Sequence, residues 1–216
     1  MKPLALLGGT FDPIHLGHLR VAWEAAEALD AEVRLMPANV PPHRPAPAAS
    51  ATERVRLVEV ALAGQSRLTL DARELARPGR SYTVDTLLEL RAEQGSRPLV
   101  LLLGADAFAG LTTWHRWREL FGLAHIAVLT RPGHAPEHPA ELAAEIAPRR
   151  VDGPAGLHAT PAGRVLQLPV TPLEISASAV RALLAAGRDP RWLVPDALLN
   201  DPALLAPYRR AATGAS

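Results

Sequence analysis

Apolar residues in this chain form short unbroken runs that alternate with stretches of helical spacing, the pattern of buried strands followed by amphipathic helices. Leu4-Ala5-Leu6-Leu7 is the first run, and Leu19, Ala22, Ala26 and Leu29 recur at helical intervals behind it. Val33-Arg34-Leu35-Met36 predicts a second strand. Ser50-Ala51-Thr52-Glu53 is a capping box, opening a helix expected to bury Val55, Val58 and Leu62. Leu68-Thr69-Leu70 predicts a third strand, Arg77-Pro78-Gly79-Arg80 a turn, and Ser81-Tyr82-Thr83 the entry to a helix running through Val84, Leu87, Leu88 and Leu90 to Gly95. Leu99-Val100-Leu101-Leu102-Leu103 is the most apolar run and reads as a central strand; His125 to Thr130 and Val165 to Leu168 read as later ones. This alternation implies an α/β, doubly wound, mainly parallel sheet. The first and fourth strands both run into glycine, at Gly8 and Gly104. If they are neighbours across a reversal of strand order, the crevice at their C-terminal ends is the ligand site.

Composition adds limits. At 216 residues and 48% hydrophobic, the chain supports one sizeable core and a single domain over 1–216. Its 23 Lys+Arg against 22 Asp+Glu leave a net charge of +1, so no general field draws nucleic acid or a membrane. There is no cysteine, hence no disulfide or thiolate metal site. Met1-Lys2-Pro3 runs straight into the first strand, without a signal-like leader, and a cytoplasmic location is expected. Residues 134–163, rich in Pro, Ala, His and Glu, read as a variable insertion with a helical piece from Leu142 to Ile146; Ala211 to Ser216 read as frayed.

The chemistry concentrates in Gly8-Gly9-Thr10-Phe11-Asp12-Pro13-Ile14-His15-Leu16-Gly17-His18. Two glycines at a strand end remove side chains where backbone could meet a ligand, and the following helix offers unpaired N–H groups and its positive dipole end. That combination favours phosphate. His15 and His18, three residues apart, project on one side of the first turn, where imidazoles can donate hydrogen bonds to oxygens whose charge grows during phosphoryl or nucleotidyl transfer. Zinc is disfavoured because no Glu follows the first His as in H-E-x-x-H; no protein-bound metal site is expected. The dinucleotide fingerprint G-x-G-x-x-G is absent from this turn.

Further along, Asn39, His43 and Arg44 place a polar, cationic group in a proline-stiffened loop just beyond the second strand. Asp106, after Gly104, is placed to accept from ribose hydroxyls. Trp114 and Trp117 lie three apart, which suits one ring to the core and leaves the other either facing a planar ligand or packed in the core as well, the latter being the better reading from the residues alone. Arg131 sets a cation at the end of the fifth strand. In Ile175-Ser176-Ala177-Ser178-Ala179-Val180-Arg181, Ser176 or Ser178 can cap a short helix whose N–H groups meet phosphate oxygens, with Arg181 about one turn on.

Taken together, Gly-Thr-Phe-Asp-Pro-Ile-His-x-Gly-His closely resembles the H-x-G-H signature of the nucleotidyltransferase superfamily, and the chain from about Leu4 to about Val194 resembles a bacterial nicotinate-nucleotide adenylyltransferase. The resemblance implies adenylyl transfer from ATP to nicotinate mononucleotide, with Mg²⁺ arriving on the nucleotide. By the same resemblance, the catalytic set is His15, His18 and Arg181. The ATP site then adds Gly8, Gly9, Thr10, Phe11, Gly104, Asp106, Ile175, Ser176 and Ser178. Asn39, His43, Arg44, Thr83, Trp114 and Arg131 would hold the acceptor, Thr83 beside its pyridine carboxylate and Trp114 stacked on its ring. Arg44 stands where the family has Lys. Asp196 to Tyr208 lacks the family's aromatic-rich ending, which leaves the C-terminal helix boundaries and assembly into a homo-oligomer open. Two alternatives remain at this level: transfer to another phosphorylated acceptor, such as phosphopantetheine, and a nucleotide-sensing module without turnover.

Overall fold

The computed structural model describes residues 1–39, 46–77, 79, 81–131 and 138–209. At its centre the apolar run near the N-terminus forms β1 (Leu4–Gly9), and the run expected to be central forms β4 (Leu99–Gly104) beside it. Around them pair β2 (Glu32–Pro37), β3 (Leu68–Leu70), β5 (His125–Thr130), β6 (Arg150–Val151) and β7 (Val165–Pro169). All pairings are parallel, in the order β3-β2-β1-β4-β5-β7-β6. Strand order therefore reverses between β1 and β4, as the two glycine-ended runs require, and their C-terminal ends open a crevice there.

Connections supply the layers. In chain order the helices are α1 (Leu16–Ala28), α2 (Ala51–Leu62), α3 (Arg73–Ala76), α4 (Thr83–Gln94), α5 (Ala105–Ala109), α6 (Leu120–Leu123), α7 (Ala140–Ile146), α8 (Ala155–His158), α9 (Ala177–Ala185), α10 (Asp196–Leu199) and α11 (Ala206–Arg209). Successive residues of a strand point to opposite faces, so each strand feeds two cores. Ala5 and Leu7 of β1 join Ala22, Leu57, Leu157, Val180 and Tyr208 on one face; Leu4 and Leu6 join Val84, Phe108, Trp117, Leu120 and Leu142 on the other.

Several local expectations are corrected. On α2 the buried stripe is Arg54, Leu57, Val58 and Leu62, with Val55 only half-buried, so a charged residue takes a core position. On α4 the buried residues are Val84, Thr86, Leu87 and Leu90, while Leu88 is 41% exposed. Residues 138–163 hold α7, as the Leu142 to Ile146 pattern indicated, together with α8 and the sheet's edge strand β6, whose two residues are too few to show a period. The boundaries left open at the C-terminal end are those of α10 and α11, and Leu198, Leu205 and Tyr208 are buried in the same core as Ala5 and Leu7. Ala211 to Ser216 lie outside the described residues.

Candidate active site

The site is built where β1 ends. After Gly9 the chain turns through Phe11, which holds φ at +49°, and through a cis Asp12–Pro13 bond, then enters α1 with His15 at the N-cap. A side chain at Gly8 would meet nothing within 4 Å, so this glycine borders the open crevice. Gly9 has a different role from the one expected, because a Cβ there would lie 2.8 Å from the ring of Phe11. Its missing side chain makes room for that ring.

The two histidines come together as their spacing implies. Their rings stack with centroids 3.6 Å apart, and Phe11 meets His18 edge-on at 5.0 Å. His18 Nδ1 accepts from the His15 backbone N–H at 3.4 Å, which leaves the proton of a neutral His18 ring on Nε2, as a donor. Burial pulls the His15 pKa down to about 4; burial and the neighbouring His15 pull His18 down to about 3. Both rings are therefore neutral at pH 7 in the free protein, which allows them to stack without charge repulsion. A polyanion arriving beside them would raise both pKa values, since adjacent negative charge favours protonation.

Gly17 explains the middle of the H-x-G-H motif. A Cβ at this position would stand 3.0 Å from Nδ1 and 3.1 Å from Cε1 of His15, and 3.6 Å from Cβ of Ile175. Gly17→Ala should leave the melting temperature unchanged or lower it slightly, because the gain of at most about 0.8–1.0 kcal/mol in helix propensity is offset by pushing back the buried His15 ring. Turnover should nevertheless drop by roughly tenfold or more, because displacing a reacting group by a fraction of an ångström is costly. Thermal melts and kcat on the same preparation check this; an unimpaired kcat would separate His15 from the chemistry.

The second motif is brought onto the first. Ser176, not Ser178, caps α9, its Oγ accepting from the Ala179 N–H at 3.1 Å. Arg181 Nη1 donates to the Asp12 carbonyl at 2.7 Å and Nη2 to Ser178 Oγ at 3.3 Å, so its guanidinium is held beside the β1 turn. One expected donor is already engaged: the Leu16 N–H at the start of α1 donates to the Leu193 carbonyl at 2.9 Å. Across the crevice, Gly104 is the N-cap of α5 with nothing within 4 Å of where a Cβ would stand, and Asp106 is exposed in that helix's first turn.

On the other side lies the corner assigned to the acceptor. Thr83 is the first residue of α4, but Tyr82 is the N-cap, and no side chain caps this end. Trp114 packs with Tyr82 against the second core and stays half-buried, whereas Trp117 is buried against Phe121, so the two tryptophans differ in exposure. Tyr82 and His115 rings lie 4.6 Å apart and Arg116 Nη1 lies 3.8 Å from Asp85, so the Trp114 loop is held against the start of α4. Asn39 does not present its amide N–H groups to the crevice. They donate to the carbonyls of Arg77 at 3.0 Å and Gly79 at 3.2 Å, on the way into α4. Arg131 is exposed and pairs with Glu174 at 3.4 Å, which puts it with the segment entering α9 rather than with Thr83. His43 and Arg44 lie outside the described residues.

Three further residues support the site, Asp12 from inside the first motif and Tyr208 and Arg54 without any signal in the local pattern. Asp12 is buried and accepts from the Ala48 N–H at 2.7 Å and the Ala49 N–H at 3.0 Å. Tyr208, buried near this carboxylate, has its phenol pKa pushed up by burial and by the Asp12 charge. Arg54 is 2% exposed and donates to three backbone carbonyls at the ends of β1 and β2.

A parallel sheet with a Gly-Gly turn, paired imidazoles at one helix start and an arginine-bearing second helix start at its switch point define a nucleotidyltransferase of Rossmann-like fold. Residues 6–183 match the family model described as Cytidylyltransferase-like. The chain is 52% identical over 202 residues to a protein of Pseudomonas paraeruginosa, covering 92% of this chain and 94% of that one. It is 49% identical over 194 residues to one of Aeromonas hydrophila, covering 89% and 91%. Both are named probable nicotinate-nucleotide adenylyltransferase. The chain belongs to the nicotinate-nucleotide adenylyltransferase family, within the cytidylyltransferase-like nucleotidyltransferases. The fold agrees with that of Plasmodium falciparum nicotinic acid mononucleotide adenylyltransferase complexed with NaAD, at a TM-score of 0.68 and 14% identity, covering 93% of this chain and 96% of that one.

Proposed function

We propose that this enzyme transfers AMP from ATP to nicotinate mononucleotide, releasing pyrophosphate and forming the deamido dinucleotide. The observation that carries the reading is the stacked His15–His18 pair and Arg181 converging at one side of the β1/β4 crevice, with the uncapped start of α4 and Trp114 at the other. The oxygen of the acceptor's 5′-phosphate attacks the α-phosphorus of ATP, and the bond to the bridging oxygen of pyrophosphate breaks. A phosphate is already nucleophilic at neutral pH, so the protein needs no general base; it aligns the two nucleotides and neutralises charge. His15, His18 and Arg181 face the triphosphate. Asp106 takes ribose hydroxyls and Trp114 stacks on the pyridine ring.

Mg²⁺ would arrive with ATP and would supply further neutralisation of its phosphate charge. The described residues do not form a cage for it: no group of three or more His, Asp or Glu assembles among them, and the Asp12 carboxylate is taken by Ala48 and Ala49. The positive charge this chain brings to the triphosphate is that of Arg181, and the two neutral histidines add hydrogen-bond donors. No helix among the described residues is long and apolar enough to cross a membrane. We infer a cytoplasmic setting, in keeping with a chain that has no cysteine.

The test is pyrophosphate release from ATP with nicotinate mononucleotide, nicotinamide mononucleotide or phosphopantetheine as acceptor. Release is expected with the first well above the others. Preferential use of phosphopantetheine, or ATP binding without any release, would replace this reading by one of the two alternatives.

A further inference from the structure

We infer that Arg54 is a positioning residue that holds the ATP-side turn and the acceptor-side corner in one fixed relation. This rests on the proposed reaction, in which two nucleotides bound at different corners must meet in line. Arg54 lies on the inward face of α2, and among the described residues it makes no ion pair. Its Nη1 donates to the Thr10 carbonyl at 2.8 Å and to the Ala38 carbonyl at 2.7 Å; Nη2 donates to the Asn39 carbonyl at 3.2 Å. Thr10 is the first residue after β1, in the phosphate-binding turn; Ala38 and Asn39 are the first residues after β2. A single planar guanidinium therefore bridges the outgoing turns of two adjacent strands.

The link continues. Asn39 Nδ2 donates to the carbonyls of Arg77 and Gly79, at 3.0 and 3.2 Å, just before α4 and its uncapped start. From Thr10 to the entry of α4 the contacts form one chain of charge-assisted and amide hydrogen bonds. Buried carbonyls that leave a ladder need donors, which a merely structural arginine also supplies. What sets this one apart is that one carbonyl belongs to the turn proposed to take ATP and the other two to the turn whose Asn39 side chain braces the way into α4, the proposed acceptor corner. Lysine keeps the charge but lacks the rigid fork, so it cannot hold all three carbonyls in the same geometry.

The test uses Arg54→Lys and Asn39→Ala, assayed well below their melting temperatures. Arg54→Lys is expected to lower kcat by roughly 10²-fold, the cost of small misalignment between reacting groups, while each KM stays within about threefold of wild type. Amide hydrogen exchange should quicken in both the Thr10 turn and residues 38–39, and not at β6. Asn39→Ala should quicken exchange entering α4 and raise KM for the acceptor, leaving the Thr10 turn protected. An Arg54→Lys enzyme that melts earlier but keeps wild-type kcat per folded molecule, or that loosens only one of the two turns, overturns the inference. If Arg54→Lys does not fold, Asn39→Ala decides: unchanged acceptor KM and unchanged exchange before α4 overturn it. Should the wild type transfer no AMP to nicotinate mononucleotide, the proposed function fails, and the exchange experiment still judges Arg54 by itself.

Discussion

His18→Ala is expected to lower kcat by roughly 10²- to 10³-fold, the loss seen when one preorganised donor to a charged transition state is removed. The ring is fixed on three sides, by the face of His15 at 3.6 Å, the edge of Phe11 at 5.0 Å and the His15 N–H at its Nδ1. Fixing Nδ1 as the acceptor commits Nε2 to donation, so no tautomer has to change as charge develops. Burial holds the pKa down to about 3, and the free enzyme therefore carries a neutral donor across the physiological range. Ground-state ATP binding should weaken far less, because Arg181 and the β1 turn are untouched. A drop confined to kcat, with the ATP dissociation constant within a few-fold, marks an interaction made mainly in the transition state. A variant retaining more than about half of wild-type kcat would remove His18 from the mechanism and favour a module that binds nucleotide without turning it over.

Selectivity for the acid over the amide should be nearly as large. A pyridine ring stacked on half-buried Trp114 directs its substituent toward the start of α4, where Tyr82 is the N-cap and no side chain caps the helix. Helix-start N–H groups are donors only, and the dipole there favours negative charge. A carboxylate presents acceptors on both oxygens. A carboxamide must turn its NH₂ toward donors and leave a polar group unpaired, at a cost on the order of 1–3 kcal/mol, besides losing the charge-assisted bond. Discrimination of roughly 10²-fold or more in kcat/KM is expected on that basis. The measurement is kcat/KM for nicotinate and nicotinamide mononucleotides with wild type, Thr83→Ala and Trp114→Ala. Thr83→Ala should keep most of the preference, since the backbone donors remain; Trp114→Ala should weaken binding of both acceptors. Equal efficiency with acid and amide in the wild type would remove the carboxylate pocket from α4 while leaving adenylyl transfer itself intact.

Local pattern was enough for the strands that matter. The unbroken apolar runs at Leu4 and Leu99, each closed by glycine, identified both walls of the crevice, and their neighbourhood follows from the doubly wound order. The spacing of His15 and His18 was sufficient to pair their rings, because residues three apart at a helix start face the same way. Ser176 and Ser178 could not be told apart, since either side chain can reach a free N–H; the structure assigns the cap to Ser176.

Sequence by itself thus supplied the apolar strands on either side of the crevice and the side-by-side placement of His15 and His18, products of periodicity and spacing within about one turn; the strand-order reversal between β1 and β4 came from the finished sheet. Tertiary structure alone decided what lies across the sheet. Arg181 meets Asp12 across 169 positions and Arg54 meets Thr10 across 44, separations at which no local rule carries information. Arg54 sits in a helical stripe that reads as apolar with one charged exception, and only the carbonyls facing it show why burial is tolerated. Asn39 looked like a ligand contact because its side chain is polar and near a strand end; which carbonyls it would meet depended on how the turn at Arg77 and Gly79 folds back. Gly17 reads as a motif letter until the His15 ring occupies the space a side chain would need. Backbone propensity acts over a few residues, whereas the pairing of buried polar groups is settled by whichever partners the finished packing brings within reach.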